Sequence, residues 1–288
     1  TKGMKKVIDD ALDFSVKQSM SMFYEMKDQK GILPRTAENG KMITCESAWW
    51  TSGFYPGTLW YCYEYSNDPQ IRAAAEEMTS RVEKQKYTTS NHDVGFIINC
   101  SFGNGYRLTH NETYRKVIET AAKSLSTRFH PVTGCTRSWN SKKWQFSVII
   151  DNMMNLELLF EASKLSGDST FYNIARKHAD TTMANHFRED NSCYHVVDYD
   201  PETGEVRKRQ TAQGYADESA WARGQAWALY GYTMCYRYTH DAKYLEQAEK
   251  VYNFIFNNKN LPEDLVPYWD FDAPNIPKED RDASAGAI

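Results

Sequence analysis

The sequence predicts an all-α fold assembled from helical hairpins, and three observations carry that prediction. Amphipathic 3.6-residue patterning dominates the chain. Four of the helices so marked end in the same punctuation, in YEYSNDPQIRAAAEE, YRLTHNETYRKVIET, EASKLSGDSTFYNIARK and YRYTHDAKYLEQAEKV. The helices on the two sides of each stop differ in character. Those before it are rich in Gly, aromatic and apolar residues, whereas those after it are charged on one face, as inner helices alternating with outer ones should be.

In chain order, the first helix runs over Met4–Met26. Further helices are expected over 49–66, 69–87, 94–109, 112–130, 146–166, 169–187, 219–239 and 242–259. Asp68, Asn111, Asp168 and Asp241 occupy equivalent places. Each reads as an N-cap whose side-chain oxygen accepts from the orphan N–H groups of the helix that follows. The caps are 43, 57 and 73 residues apart, too irregular for a short fixed-period solenoid. Hairpins with long, variable inner loops fit this spacing, and such loops are where functional residues collect. One loop reads as a β-hairpin: YHVVDYD alternates, DPETG turns and EVRKRQ returns.

Composition narrows the function classes. At 41% hydrophobic and 25% charged residues, the chain reads as a soluble globular protein, and its 288 residues are expected to form one domain. Aromatic residues reach 14%, with eight Trp and nineteen Tyr. Core packing accounts for most of them, and stacking against the apolar C–H faces of sugar rings is the sharper use for the rest. The net charge is −4 and no Lys/Arg stripe occurs, which speaks against nucleic acid. An anionic ligand would have to be held by local positive groups. The six cysteines form no C-x-x-C pair, which argues against structural zinc, and several sit in apolar helices as core thiols. The most apolar run, Phe146–Phe160, is too short for a membrane span and carries Asp151 and Glu157. The chain starts at Thr1 without a signal peptide, so a processed or trimmed product, and with it secretion, stays open.

Two aspartates stand out. Asp151 lies in FSVIIDNMMNLELLF, the single charged residue between Phe146 and Leu156. Desolvation on an apolar inner helix would raise its pKa and favour the acid form; alternatively it is a buried Asp that caps a loop or bonds Asn152 or Asn155. Asp93, in SNHDVGF, falls at a helix start, where the dipole favours the ionised form; an ordinary N-cap would occupy the same place. Opposed environments of this kind mark an acid and base working as a pair. In SAWARGQAWALYG, Arg223 and Trp227 share a helix face, suited to a carboxylate and a sugar ring, or form a core helix with a snorkelling Arg. Gly224 would let a ligand approach the backbone. Trp49 and Trp50 are adjacent in ESAWWTSGFYPG, so at most one should serve a site. His92 and His195 are lone histidines, a class more often structural than catalytic. Metal-ligand spacing, a P-loop and a dinucleotide fingerprint are all missing.

The segments NHDVGF, DNMMNLELL, TAQGYADESAWARGQAW and RDASAGAI, taken together and in order, resemble glycoside hydrolase family 88, the unsaturated glucuronyl hydrolases. RGQAW is the most specific of them; related rhamnogalacturonyl hydrolases typically carry RGNGW. The resemblance implies an (α/α)6 toroid, with the β-hairpin as a small insertion. It implies hydration of the C4=C5 vinyl ether left on a terminal uronic acid by polysaccharide lyases, without metal or cofactor. By motif match, Asp151 would be the general acid/base and Asp93 the second carboxylate. His195 and Gln213 would lie near the uronate, Arg223 would hold it, Trp227 would stack on the ring, and Trp50 and His92 would complete the pocket. The expected ligands are unsaturated uronate-containing disaccharides or oligosaccharides, with no nucleic-acid or membrane partner, in a bacterial periplasm or cytoplasm.

Two departures accompany the resemblance. Many relatives have His where Ala212 stands, which bears on hydrogen bonding to substrate and on sulfation preference. Relatives also continue for about three more helices beyond the nine counted here, so the expected domain over 1–288 reads as a toroid lacking its last helices. The competing readings are an unsaturated rhamnogalacturonyl or galacturonyl hydrolase acting on pectin fragments, a conventional inverting glycosidase, and a sugar-binding toroid without catalysis.

Overall fold

Helical hairpins organise the chain in the computed structural model, which describes residues 2–288. All four expected caps form. Asp68, Asn111, Asp168 and Asp241 accept from the backbone N–H groups of Gln70, Thr113, Thr170 and Lys243. The residue before each is left-handed: Asn67, His110, Gly167 and His240 have φ of 53°, 52°, 74° and 54°. A left-handed residue closes the first helix and the cap opens the second, so each reversal needs only two residues.

The chain divides into two compact units. The first holds residues up to Thr88 together with Asp93–Ser124. It contains α1 (Lys2–Met26), a hairpin of β1 (Ile32–Glu38) and β2 (Lys41–Glu46), α2 (Phe54–Ser66) and α3 (Pro69–Ser80). A 3-10 turn over Glu83–Tyr87 follows, then α4 (Val94–Ile98), a π turn (Asn99–Gly103), α5 (Asn104–Thr109) and α6 (Glu112–Ser126), which belongs to this unit up to Ser124. Met26, Leu59, Trp60, Ala75 and Met78 form its core, and the Trp60 indole N–H donates to Thr79 at 2.9 Å, tying α2 to α3. The β1–β2 hairpin is not anticipated by the helical periodicity. Its turn is Asn39-Gly40, both at positive φ, as a two-residue reversal of this twist requires.

Several helix boundaries move, each for a local reason. The helix expected from residue 49 starts at Phe54, because 47–53 is a turn closed by Ser52 Oγ donating to the Ser47 carbonyl at 2.7 Å. The helix expected over 69–87 breaks after Ser80. There Arg81 donates to the carbonyls of Lys27, Gln29 and Ile32 at 2.8–2.9 Å.

The second unit holds Thr89–His92 and Leu125–Ile288. Its elements are β3 (Phe129–His130), β4 (Cys135–Thr136), β5 (Ser147–Ile149), α7 (Asn152–Ser166), α8 (Ser169–Asn185), β6 (Val196–Tyr199), β7 (Val206–Gln210), α9 (Ala222–Thr239), α10 (Ala242–Phe256) and α11 (Ala283–Ala287). The expected β-hairpin is β6–β7, and β5 adds a third antiparallel strand. The one helix expected over 146–166 is therefore two elements. The β-branched run Val148-Ile149-Ile150 suits a strand, and β5 pairs with β6 before α7 begins. Asp151 thus stands at the N-cap of α7 rather than within a helix. Helices α7 and α9 pack closely: a Cβ on Gly231 would lie 2.4 Å from Met153 Cβ, and Phe160 stacks on Tyr238 at 5.1 Å.

Candidate active site

Strand register brings Asp151 and His195 together. Ile149 pairs with Val196, and the Ile150 N–H donates to the His195 carbonyl at 3.0 Å. One residue further along, the Asp151 carboxylate Oδ1 lies 3.6 Å from His195 Nε2. Both residues are buried, at 8% and 3% exposure, and neither of these two atoms has a hydrogen-bond partner among the described residues. The structural duties open to Asp151 are not taken up. Its side chain does not cap α7. Asn152 donates instead to the Thr136 carbonyl at 2.8 Å, and the Asn155 amide meets His92 Nδ1 at 3.2 Å. A buried carboxylate oxygen left without a partner is costly unless something else uses it.

The tautomer of His195 follows from its other nitrogen. Nδ1 accepts from the backbone N–H groups of Ala212 and Gln213 at 3.0 and 3.2 Å. A nitrogen that accepts two donors carries no proton, so the neutral ring carries its proton on Nε2, aimed at Asp151. The ring is held by Trp221, with centroids 4.3 Å apart, and by the edge of Trp139 at 6.1 Å. Ala212 takes part through its main chain.

Arg223 lies in the first turn of α9. Its Nη2 donates to Gln213 Oε1 at 2.7 Å, its Nη1 pairs with Asp282 at 3.0 Å, and its guanidinium lies 4.5 Å over the Trp221 ring. Its Nε is buried with no partner among the described residues. Gln213, Arg223, His195 and Asp151 thus form one linked group through Trp221 and the 211–214 loop. Gly224 serves packing rather than a ligand. A Cβ there would lie 2.9 Å from the Trp221 ring and 3.2 Å from Ile150. Trp227, one turn on, is 4% exposed. His92 is also buried, and its backbone N–H donates to the Ser138 carbonyl at 3.1 Å.

Trp50 and Asp93 lie in the first unit. Trp50 is half-buried in a T-shaped trio with Phe54 and Phe96, at 5.8 and 6.0 Å, whereas Trp49 is exposed beneath the Arg35 guanidinium at 3.9 Å. Two adjacent tryptophans therefore do face different surroundings. Asp93 takes the N-cap position of α4, and its carbonyl accepts from Ile97 at 2.9 Å, but its side chain makes no capping bond. Trp221 and Asp282 are the partners that the sequence reading missed. Both sit inside segments already singled out, SAWARGQAW and RDASAGAI, but only their neighbours gave a chemical signal.

The profile of Glycosyl Hydrolase Family 88 matches residues 23–272. The chain is 51% identical over 242 residues to an unsaturated glucuronyl hydrolase of Formosa agariphila, covering 83% of this chain and 60% of that protein's length. It is 35% identical over 288 residues to an unsaturated chondroitin disaccharide hydrolase of Streptococcus pyogenes, covering 98% of this chain and 71% of the relative. The crystal structure of an unsaturated glucuronyl hydrolase specific for heparin superposes with a TM-score of 0.91 at 45% identity, over 96% of this chain and 76% of that one. The mostly helical fold with small antiparallel sheets is thus shared with a solved relative, and the chain belongs to glycosyl hydrolase family 88.

Proposed function

We propose that the protein removes the 4,5-unsaturated uronic acid from the non-reducing end of glycosaminoglycan fragments made by lyases. The observation that carries this reading is the buried Asp151 carboxylate facing His195 with no structural hydrogen bond to Oδ1. Asp151 in its acid form gives a proton to C4 of the vinyl ether. The resulting carboxylate then takes a proton from the water that adds to C5. The hemiketal so formed opens by itself, breaking the bond to the neighbouring sugar and leaving a keto uronate. The His195 N–H supports the carboxylate stage of this cycle. Asp93 is the second carboxylate of the reaction, Arg223 and Gln213 hold the uronate, and Trp227, Trp50 and His92 complete the saccharide-binding set. The names of the Formosa, Streptococcus and heparin-specific relatives support this substrate class.

No helix among the described residues is long and apolar enough to cross a membrane. We infer that the enzyme works in the bacterial periplasm or cytoplasm, where lyase products collect. The test is the ultraviolet absorbance of the conjugated double bond, followed on unsaturated heparin and chondroitin disaccharides. The protein should bleach it, and Asp151→Asn should slow the loss by about 10²–10⁴-fold, the usual worth of a positioned acid/base. Equal rates for the two proteins would defeat the assignment.

A further inference from the structure

We propose that Asp282 is a positioning residue for Arg223, fixing the guanidinium that receives the uronate carboxylate; this rests on the function proposed above. A guanidinium on a four-bond stem must be restrained in direction and in rotation before its donors define a site. Arg223 is restrained in three ways. The Trp221 face at 4.5 Å sets its plane. Gln213 Oε1 on Nη2 and Asp282 Oδ2 on Nη1, at 2.7 and 3.0 Å, set its rotation within that plane. The donors that remain include the buried Nε–H, which has no partner among the described residues. A planar anion is the group that such an edge accepts bidentately.

Asp282 is itself anchored. Its Oδ1 accepts from the Ala285 N–H at 3.0 Å and from the Ser284 hydroxyl, and its own N–H donates to the Pro267 carbonyl at 2.8 Å. One oxygen thus starts α11 while the other holds Arg223. The same stretch of chain grips the loop before α9 elsewhere. Asp270 accepts from the Tyr215 N–H and the Ser219 hydroxyl at 2.8 and 2.7 Å, and Ala222 N–H donates to the Trp269 carbonyl at 3.1 Å. Residues 267–285 therefore act as a clamp on the 211–223 segment, and Asp282 is its contact with the charged side chain. The carboxylate also offsets the charge of a largely buried guanidinium, so that orientation rather than excess charge governs what binds.

The experiment is a double-mutant cycle on kcat/KM with an unsaturated chondroitin disaccharide, using Asp282→Ala, Asp282→Asn and Arg223→Gln. Asp282→Ala should lower kcat/KM by about 10–100-fold, mainly through KM, and Asp282→Asn, which keeps an acceptor, by less. On the Arg223→Gln background, Asp282→Ala should cost less than about twofold. An equal cost on both backgrounds would overturn the proposal, because the residue would then act by some route other than Arg223. A second readout holds even if the protein proves not to turn over this substrate. The Arg223 Nε–H proton resonance, assigned by its disappearance in Arg223→Gln, should exchange slowly with water in the parent and rapidly in Asp282→Ala. An unchanged exchange rate overturns the proposal whatever the enzyme's activity.

Discussion

Substituting Gly224 by alanine sets two physical effects against each other at the first turn of α9. Alanine is the better helix former by about 0.5–1 kcal/mol, which alone would stabilise the protein. The new methyl group would lie 2.9 Å from Trp221 Cε3 and 3.2 Å from Ile150 Cγ2, where ordinary carbon contacts begin near 3.5 Å. Trp221 is a rigid ring, 4% exposed, and Ile150 is fully buried in the chain turn that carries Asp151, so neither has room to withdraw. Overpacking of this kind costs about 1–3 kcal/mol, and the net expectation is a loss of about 1 kcal/mol. Activity should suffer more than stability. The Trp221 ring lies against both His195 and Arg223, so a shift of a few tenths of an ångström reaches the whole linked group. Since a misplacement of about 1 Å can cost ~10²-fold, a loss of about tenfold in kcat is expected. Urea unfolding and the absorbance assay on the same preparation separate the two effects. A Gly224→Ala protein that is more stable by about 1 kcal/mol and fully active would refute the packing account and return Gly224 to helix propensity alone.

Two further predictions concern buried histidines. His195→Ala removes the acceptor of the Ala212 and Gln213 N–H groups. Because both residues border solvent, water recovers part of the loss, and urea unfolding should show about 1–3 kcal/mol of destabilisation; no loss would mean that the loop does not depend on the imidazole. His178 is fully buried, and burial pushes its pKa down to about 3, with nearby His92 acting in the same direction. Between that value and the ordinary 6.5 the unfolded chain binds the extra proton, so stability rises with pH and is lost as pH falls below about 6.5. His178→Asn keeps an acceptor for the Thr136 N–H, which His178 Nδ1 now takes at 2.9 Å, while removing the titration. Stability measured between pH 7 and 4 should flatten by up to about 1.4 kcal/mol per pH unit, and an unchanged slope would exclude His178 as a source of acid lability.

How much of this was legible in the sequence depended on whether the signal was local. The four hairpin reversals were, because each cap acts within its own turn: Asp168 bonds the N–H of Thr170, two residues on. The placement of Asp151 was half legible. Its apolar surroundings stand in the sequence, but a β-branched run of three was absorbed into a helix that begins only at Asn152. Only pairing with β6, some 47 residues away, decides that Val148 and Ile149 are strand. The His195 tautomer was out of reach, because backbone N–H groups at 212 and 213 leave no mark in side-chain chemistry. So was the Arg223–Asp282 pair, which joins residues 59 apart in sequence. Gly224 was read for what it could admit, and its neighbours in space show that the room is already taken. The Asn39-Gly40 turn was a local signal that went unread beneath the dominant helical periodicity.

The two-residue hairpin reversals also bear on how such a chain can change length. Each is complete in itself, a left-handed residue followed by a cap, and it fixes one end of a helix pair without reference to the other. The 43-, 57- and 73-residue intervals can therefore differ mainly in what lies between hairpins. Closing a longer flexible loop is cheap, about 0.6 kcal/mol for each doubling of its length. Each helix pair thus has one fixed end and one elastic end. New strands, such as β6 and β7 between α8 and α9, can be spliced in there while the reversals are untouched, and the loop that holds His195 follows β7 in the same stretch.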